Sequence, residues 1–371
     1  MAQQSVSTKM ESTKKTAHKG KKLRVAIIGC GGIAQTHLDV YRTYIPEVEI
    51  VAGVDILQER LDVMEEKWGV PKEALFTDWK KMLAEIKPDA VDVCTPNHVH
   101  CAPVVDSCNA GCHAMVEKPM AMNPRECEKM IAAAEKAGVK LSVGFQQRYR
   151  PNTEALIEAR DNDQFGDIFF VKVRALRRRG IPNWGVFGQK ELQGGGPMID
   201  IGVHMVEAAY ELMGAPKPIA ASGNTWTYMG NTDSKTRCPW PGWDWKTYTV
   251  EDFAVGQIRF DNGAIMQIES SFAAHIPHEV HNFEIIGTKG SCNWDSGEIF
   301  TDLHNTMVNI NPAYLGPTEW GSLFRSKLQN WVDGCLKGSE LQADGYDGLN
   351  VQKILDGIYR SAAACKEVTI K

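Results

Sequence analysis

From residue 23 onward, short apolar runs alternate with longer amphipathic stretches. The runs are 23–29 (LRVAIIG), 49–55 (EIVAGVD), 90–95 (AVDVCT), 113–117 (HAMVE) and 140–145 (KLSVGF). Between them 58–68, 98–110 and 124–137 carry apolar residues at helical spacing. Strands alternating with helices predict βαβ units around a parallel sheet. Near-continuous apolar strands are what a sheet covered on both faces requires.

The pattern changes after Pro151. A helix is expected over 153–160, a strand over 167–176 and a long helix over 198–213. Strand signals follow at 219–228, 252–260, 264–272, 282–287 and 298–302. Asp261-Asn262-Gly263 is a hairpin turn between two of them, and successive strands with short turns predict an antiparallel sheet. Helices are expected last, over 321–336 and 348–365. The fold class is therefore α/β. A polar tail (1–22) precedes an expected dinucleotide-binding domain (23–145) and a substrate-binding and oligomerisation domain (146–371).

Composition narrows this only a little. A length of 371 residues suits two domains. The net charge of −5 argues against a nucleic-acid surface. No run of about 20 apolar residues is present to span a membrane. The tail lacks the apolar core of a secretory signal and reads as disordered. Ten cysteines without a Cys-x-x-Cys pair fit reduced thiols of a cytoplasmic protein better than a disulfide framework or zinc site.

The first candidate chemistry is Gly29-Cys30-Gly31-Gly32-Ile33-Ala34, a G-x-G-x-x-A turn between a strand and a helix. Gly29 serves the tight turn, Gly31 lets backbone approach a pyrophosphate, and Ala34 allows helix and strand to pack closely. The helix start offers free N–H groups to phosphate. Asp55 stands 21 residues after Ala34, at the end of the next strand. A carboxylate there binds ribose hydroxyls and repels a 2′-phosphate, which favours NAD over NADP. Arg60 is the nearest cation and softens that preference.

Three further motifs follow: Thr95-Pro96-Asn97-His98-Val99-His100 after the fourth strand, Glu117-Lys118-Pro119 after the fifth, and 194–204 (GGGPMIDIGVH) opening the long helix. In this order and on these elements, they resemble the Gfo/Idh/MocA family of oxidoreductases across about residues 23–371. The resemblance implies a Rossmann domain followed by an α/β domain with an open, mostly antiparallel sheet. It implies that Lys118 lies beside the nicotinamide and the reacting hydroxyl, and that Glu117 holds the nicotinamide ribose. Thr95, Asn97 and His100 would line the cofactor groove, and Asp200 and His204 would complete the catalytic group. Gln146 and Gln147 fall where members contact substrate, and Arg148 matches an arginine that commonly follows and is expected among the cofactor contacts. Gln147 departs from the basic residue often found there.

Oxidising a secondary alcohol needs a proton acceptor while the cofactor takes the hydride. Histidine starts near a pKa of about 6.5, so His204 needs little tuning, whereas lysine starts near 10.4. Lys118 serves either as a strongly depressed base or as a donor to the developing alkoxide. Spacing puts Asp200 and His204 one helical turn apart, with Glu207 on the same stripe to orient the imidazole. An ordinary capped helix start with a core histidine is the competing reading. The glycine run 194–196 suits approach of backbone to a ligand, or a hinge.

Trp240, Trp243 and Trp245 in 238–248 suit either a sugar ring or a subunit contact; Asn183 and Trp184 reach substrate or simply pack. His275, His278 and His281 are spaced by three, which alternates faces in a strand, so no metal is expected. Arg177, Arg178 and Arg179 read as a solvated strand end. The leading function is an NAD-dependent dehydrogenase of a sugar, glycoside (at C3) or cyclitol. The alternatives are an NAD-retaining hydrolase or lyase working by transient oxidation and elimination, and a non-catalytic NAD sensor. An open sheet face needs a cover, so a homo-oligomer is expected, a dimer or tetramer.

Overall fold

The computed structural model describes residues 22–317 and 319–371; all but Lys22 of the expected tail lies outside the described residues. Strand β1 (Leu23–Ile28), helix α1 (Gly32–Tyr44), β2 (Val48–Val54), α2 (Gln58–Trp68), β3 (Leu75–Phe76) and α3 (Trp79–Ile86) form the first half of a wound sheet. The second half is β4 (Ala90–Val93), α4 (Cys101–Asn109), β5 (His113–Val116), α5 (Pro124–Ala137) and β6 (Leu141–Val143). The strands run parallel in the order β3-β2-β1-β4-β5-β6. The order reverses between β1 and β4, and ligands of such sheets bind beyond the carboxyl ends of the strands at that point. Val25, Ile27, Val91, Val93, Ala114 and Val116 are completely buried, because helices cover both faces.

After α6 (Pro151–Asp161) comes β7 (Ile168–Leu176), then a short turn α7 (Lys190–Gln193) and a turn of π-helix at Met198–Gly202 that runs into α8 (Val203–Leu212). Strands β8 (Pro218–Trp226), β9 (Phe253–Phe260), β10 (Ile265–Ser271), β11 (Val280–Gly287), β12 (Gly290–Asn293), β13 (Glu298–Leu303) and β14 (Thr306–Ile310) follow. Helices α9 (Trp320–Lys337) and α10 (Gly345–Ala364) and the short β15 (Val368–Thr369) end the chain. The second sheet has the order β14-β13-β12-β11-β7-β10-β9-β8-β15. Only the β7–β10 pairing is parallel among its described pairings, so the sheet is mostly antiparallel.

One face of this sheet lies on helices, and Val171, Val173 and Ala175 of β7 point into that layer, fully buried. The last two helices serve both sheets. The Val143 N–H donates to the Ala343 carbonyl at 3.0 Å, and the His37 ring of α1 lies 5.5 Å from that of Phe324 on α9. On the second sheet the Gly223 N–H of β8 donates to Ser361 Oγ of α10 at 3.0 Å, so the two C-terminal helices tie the sheets together.

Candidate active site

The loop after β1 shapes the switch point. Gly29 has φ +88°, and a Cβ there would lie 2.7 Å from the Cys94 carbonyl carbon and the Thr95 nitrogen. The turn thus packs directly against the end of β4. Gly31 and Gly32 are the opposite case, since a Cβ on either meets nothing within 4 Å. They open α1 toward free space, where its first N–H groups have no helical partner. Asp55 bounds the same space. It accepts the Cys30 N–H at 2.8 Å and the Leu57 N–H at 3.0 Å, which fixes its carboxylate at the rim of the turn. Ile33 covers the outer side and Ala34 is buried on the strand.

Below the turn, Thr95 Oγ1 and Gln146 Oε1 are buried without a partner among the described residues. Free backbone donors, an oriented carboxylate and unpaired polar atoms fit a dinucleotide. Asn97 and His100 have internal work. Asn97 donates to the Gln193 carbonyl at 2.8 Å, tying α7 to the groove. The two ring nitrogens of His100 face the carbonyls of Pro119 and Thr95, at 2.9 and 2.8 Å, so this ring fastens the β4 and β5 loops to each other.

Lys118, just beyond β5, reaches across to the second domain. Its Nζ donates to the Asp200 carbonyl at 2.8 Å and to Asp200 Oδ1 at 3.0 Å. Asp200 sits in the π-helical turn, a feature that often marks functional sites. His204 follows on α8. Burial and the neighbouring Lys118 ammonium hold its imidazole well below the usual histidine range. The expectation of a histidine needing little tuning is corrected accordingly: a cation and a dry site both disfavour its charged form. Its Nδ1 is buried without a partner among the described residues. Lys118 and Asp200 thus meet across the cleft, with His204 within electrostatic reach of the ammonium.

Other expectations land elsewhere. Glu207 does not orient His204; it forms a tight pair with Arg148. Arg148, expected in the cofactor groove, is buried and also meets Asp347 at 3.0 Å and Glu211 at 3.1 Å. Three carboxylates occupy its guanidinium behind α8. The glycine run at 194–196 approaches the protein itself rather than open space at two of its positions. A Cβ on Gly195 would strike the Tyr359 hydroxyl at 2.1 Å, and one on Gly196 the Glu251 carbonyl at 2.0 Å. Glu251 caps this turn by accepting the Gly196 N–H at 2.9 Å and the Tyr359 hydroxyl at 2.7 Å.

Three groups beside Lys118, Asp200 and His204 stand in places that the sequence reading did not assign to them. Arg177 is near enough to Asp200 to feel its charge, and burial pulls its guanidinium below the usual arginine range. Its guanidinium lies 4.9 Å from the Trp240 ring centre. Trp240 meets Trp184 edge-on at 4.8 Å, and Asn183 donates to the Pro241 carbonyl at 2.8 Å. The strand-end arginine is thus a pillar between Asp200 and an aromatic wall. Trp243 is instead an anchor, buried with its indole N–H on the Gly230 carbonyl at 2.8 Å. His281 lies within electrostatic reach of both His204 and Arg177. The third group is Lys327, 1% exposed on α9, whose Nζ donates to Glu117 Oε1 at 2.7 Å. Gln147 Oε1 is buried and unpaired among the described residues, beside Gln146.

Residues 23–145 match the oxidoreductase family with an NAD-binding Rossmann fold, and residues 153–293 match the Gfo/Idh/MocA C-terminal domain. The chain belongs to the Gfo/Idh/MocA oxidoreductase family. It is 35% identical over 351 residues to the D-glucoside 3-dehydrogenase of Escherichia coli K12, covering 94% of this chain and 97% of the relative. An oxidoreductase domain protein from Kribbella flavida superimposes with a TM-score of 0.82 at 22% identity, over 95% of this chain and all of that one. Levoglucosan dehydrogenase in complex with NADH gives 0.81 at 21% identity, over 95% and 100% of the two chains. The protein is an NAD-binding α/β oxidoreductase, as its motifs imply.

Proposed function

We propose that this protein oxidises a secondary hydroxyl of a glycoside, at C3 of a glucoside, with NAD as hydride acceptor. The observation that carries the proposal is the convergence of Lys118, Asp200 and His204 at the carboxyl edge of the wound sheet. Similarity to a D-glucoside 3-dehydrogenase along almost the whole chain supports the substrate class. Residues 23–145 hold the cofactor and residues 146–371 present the substrate. Asp55 would hold the adenosine ribose, Glu117 the nicotinamide ribose, and Gly31 and Gly32 the pyrophosphate; Thr95 and Gln146 line the inner groove. The cofactor supplies the hydride acceptor when bound. Lys118 donates to the reacting oxygen, and Asp200 keeps the ammonium aimed. His204, neutral at physiological pH, takes the hydroxyl proton. Trp184 and Trp240 offer apolar faces to the aglycone side, with Gln147 and Asn183 on the polar flank.

The test is absorbance at 340 nm with NAD and a panel of glucosides, free sugars and inositols. A rise with glucosides, and a 3-ketoglucoside product, is expected. Turnover of inositols alone would overturn the substrate class. Bound NADH retained with elimination of the aglycone would indicate an oxidation–elimination enzyme instead.

Because His204 must be neutral to accept a proton and its pKa is depressed, kcat/KM should stay level as pH falls through 6.5 and drop only below it. A pH profile with its acid limb above 7 would remove His204 as the base. Asp55→Ala should raise the KM for NAD by about tenfold or more, since a hydrogen bond to a charged group contributes roughly 1.5–3 kcal/mol. The same change should narrow the preference for NAD over NADP, measured as the ratio of the two kcat/KM values.

The outward face of the second sheet carries Trp226 and Ile286, 44% and 42% exposed. An apolar sheet face of this kind needs a cover, which supports a homo-oligomer packed through it. Light scattering should give at least a dimer at micromolar concentration. No helix among the described residues is long and apolar enough to cross a membrane. All ten cysteines are free thiols, which supports a reducing, cytoplasmic setting.

A further inference from the structure

A buried ionic chain runs beneath the catalytic lysine, and apart from Glu117 the chemistry above employs none of its members. It starts on α9. Lys327 Nζ lies 2.7 Å from Glu117 Oε1 and 3.0 Å from His37 Nε2. On the other side of the ring, His37 Nδ1 meets Asp92 Oδ2 at 2.8 Å, and the Tyr41 hydroxyl donates to the same oxygen at 2.9 Å. His37, Asp92 and Lys327 are each 1% exposed or less. The other oxygen of Glu117, Oε2, accepts the backbone N–H of Lys118 at 3.1 Å. A Cβ at position 144 would lie 2.7 Å from Glu117 Oε1, so Gly144 leaves the carboxylate the room to adopt this pose.

His37, Asp92 and Cys94 lie close enough together to hold a metal ion. The Lys327 ammonium beside the same ring opposes a cation there, and Tyr41 already occupies the carboxylate. The group reads better as a charge chain. Two carboxylates face one ammonium and one imidazole; burial opposes charge on the ring, but Asp92 raises its pKa above the usual histidine value, and each group has hydrogen-bonding partners. Burying ions is costly unless they are paired in this way. An apolar residue at 327 would continue the stripe of Phe324, Leu328 and Trp331 at far lower desolvation cost. The lysine therefore answers a requirement other than packing.

We infer that Lys327 is a positioning residue: from the C-terminal helix it pins the Glu117 carboxylate and through it the backbone that carries Lys118. The inference rests on the catalytic reading of Lys118 and His204. Glu117 stands at the carboxyl end of β5 on the ligand edge of the sheet, one residue from Lys118. The charges of Glu117 and Lys327 both reach His204, together with those of Lys118 and His281. Burial works against ionisation of Glu117, but Lys327 and His37 hold it well below the usual carboxylate range. The groups facing Lys327 are Glu117 and His37; Asp92, Tyr41 and Cys94 lie behind them. Removing the ammonium leaves Glu117 against a single imidazole. Its carboxylate then takes up a proton more readily, and His204 loses a cation that opposes its own protonation. Both effects move the acid limb of the rate profile to higher pH.

The experiment compares wild type, Lys327→Met, Lys327→Arg, Glu117→Gln and the double variant Glu117→Gln/Lys327→Met. The readouts are kcat, KM for NAD, the pH profile of kcat/KM, NAD binding by calorimetry, and thermal melting. Lys327→Met should lower kcat by about tenfold or more and shift the acid limb upward, with Lys327→Arg recovering part of both. The double variant removes both charges. It should melt above Lys327→Met, and it should be no slower than Glu117→Gln alone, because Lys327 acts through that carboxylate. If Lys327→Met does not fold, the double variant against Glu117→Gln carries the same comparison. Unchanged kcat and pH profile in folded Lys327→Met would overturn the inference. So would a double variant much slower than Glu117→Gln. A wild type that neither binds NAD nor turns over glycosides would remove the proposed function instead, which keeps the two failures distinct.

Discussion

Lys118→Ala should lower kcat by about a thousandfold while leaving NAD affinity within a few-fold of wild type. From the wound-sheet side the Lys118 ammonium bonds the Asp200 carbonyl at 2.8 Å and Asp200 Oδ1 at 3.0 Å, so its loss removes both the proposed donor to the reacting oxygen and this tie across the cleft. A positioned donor or proton-transfer group contributes roughly 10²–10⁴-fold. Lys118→Arg should not restore the rate, because a planar fork cannot take the place of a point donor held by a carbonyl and a carboxylate. His204→Ala should cost a similar factor. The double variant should be scarcely slower than either single one, because residues acting on one proton transfer lose their effect together. Single-turnover absorbance at 340 nm reads the chemical step, and calorimetry reads the cofactor. Additive losses in the double variant would mean that the two residues act on separate steps. A Lys118→Ala enzyme with wild-type kcat would end the catalytic assignment.

The residues in that argument were legible because each motif is local. Gly29 through Ala34, the Glu117-Lys118 pair and the stretch from Gly194 to His204 each announce their chemistry within a dozen positions. The helices over Gln58–Trp68 and Pro124–Ala137 likewise follow from apolar spacing and end at Gly69 and Gly138, both at positive φ. What escaped was long-range. Lys327 meets Glu117 across 210 positions, and Glu251 caps Gly196 across 55. Each left a trace, a lysine on an apolar helical stripe and an acid directly after Val250, but no trace named its partner. Arg148 and Glu207 were misplaced for a related reason. His204 and Glu207 lie one turn apart on α8, as the spacing put them, but the buried Arg148 guanidinium, supplied from far upstream in the chain, takes the Glu207 carboxylate instead. The short strands β12, β14 and β15 are too brief to show a period, and pairing with neighbours defines them.

The glycines of the first turn allow its two roles to be separated. Gly29→Ala should destabilise the protein by about 2–5 kcal/mol, from a residue forced into left-handed backbone and a methyl driven into a filled space. The methyl would lie 2.7 Å from the backbone of Cys94 and Thr95, and the Gly29 N–H is itself bonded to the Val54 carbonyl at 2.8 Å. Relief has to come from parting β1 and β4 at the switch point, which moves Thr95 and the Cys30 N–H that orients Asp55. Both the melting temperature and NAD affinity should therefore fall. Gly31→Ala should behave differently. Its methyl meets no protein atom within 4 Å, so the melting temperature should hold, but it enters the space over the helix start assigned to the pyrophosphate. Calorimetry should show NAD binding weakened by about tenfold or more, an effect that one misplaced methyl at a close backbone contact readily produces. Unchanged NAD affinity in a stable Gly31→Ala protein would place the pyrophosphate somewhere other than over this turn. Loss of affinity without loss of stability separates the space the turn leaves for its ligand from the packing that holds the turn in place.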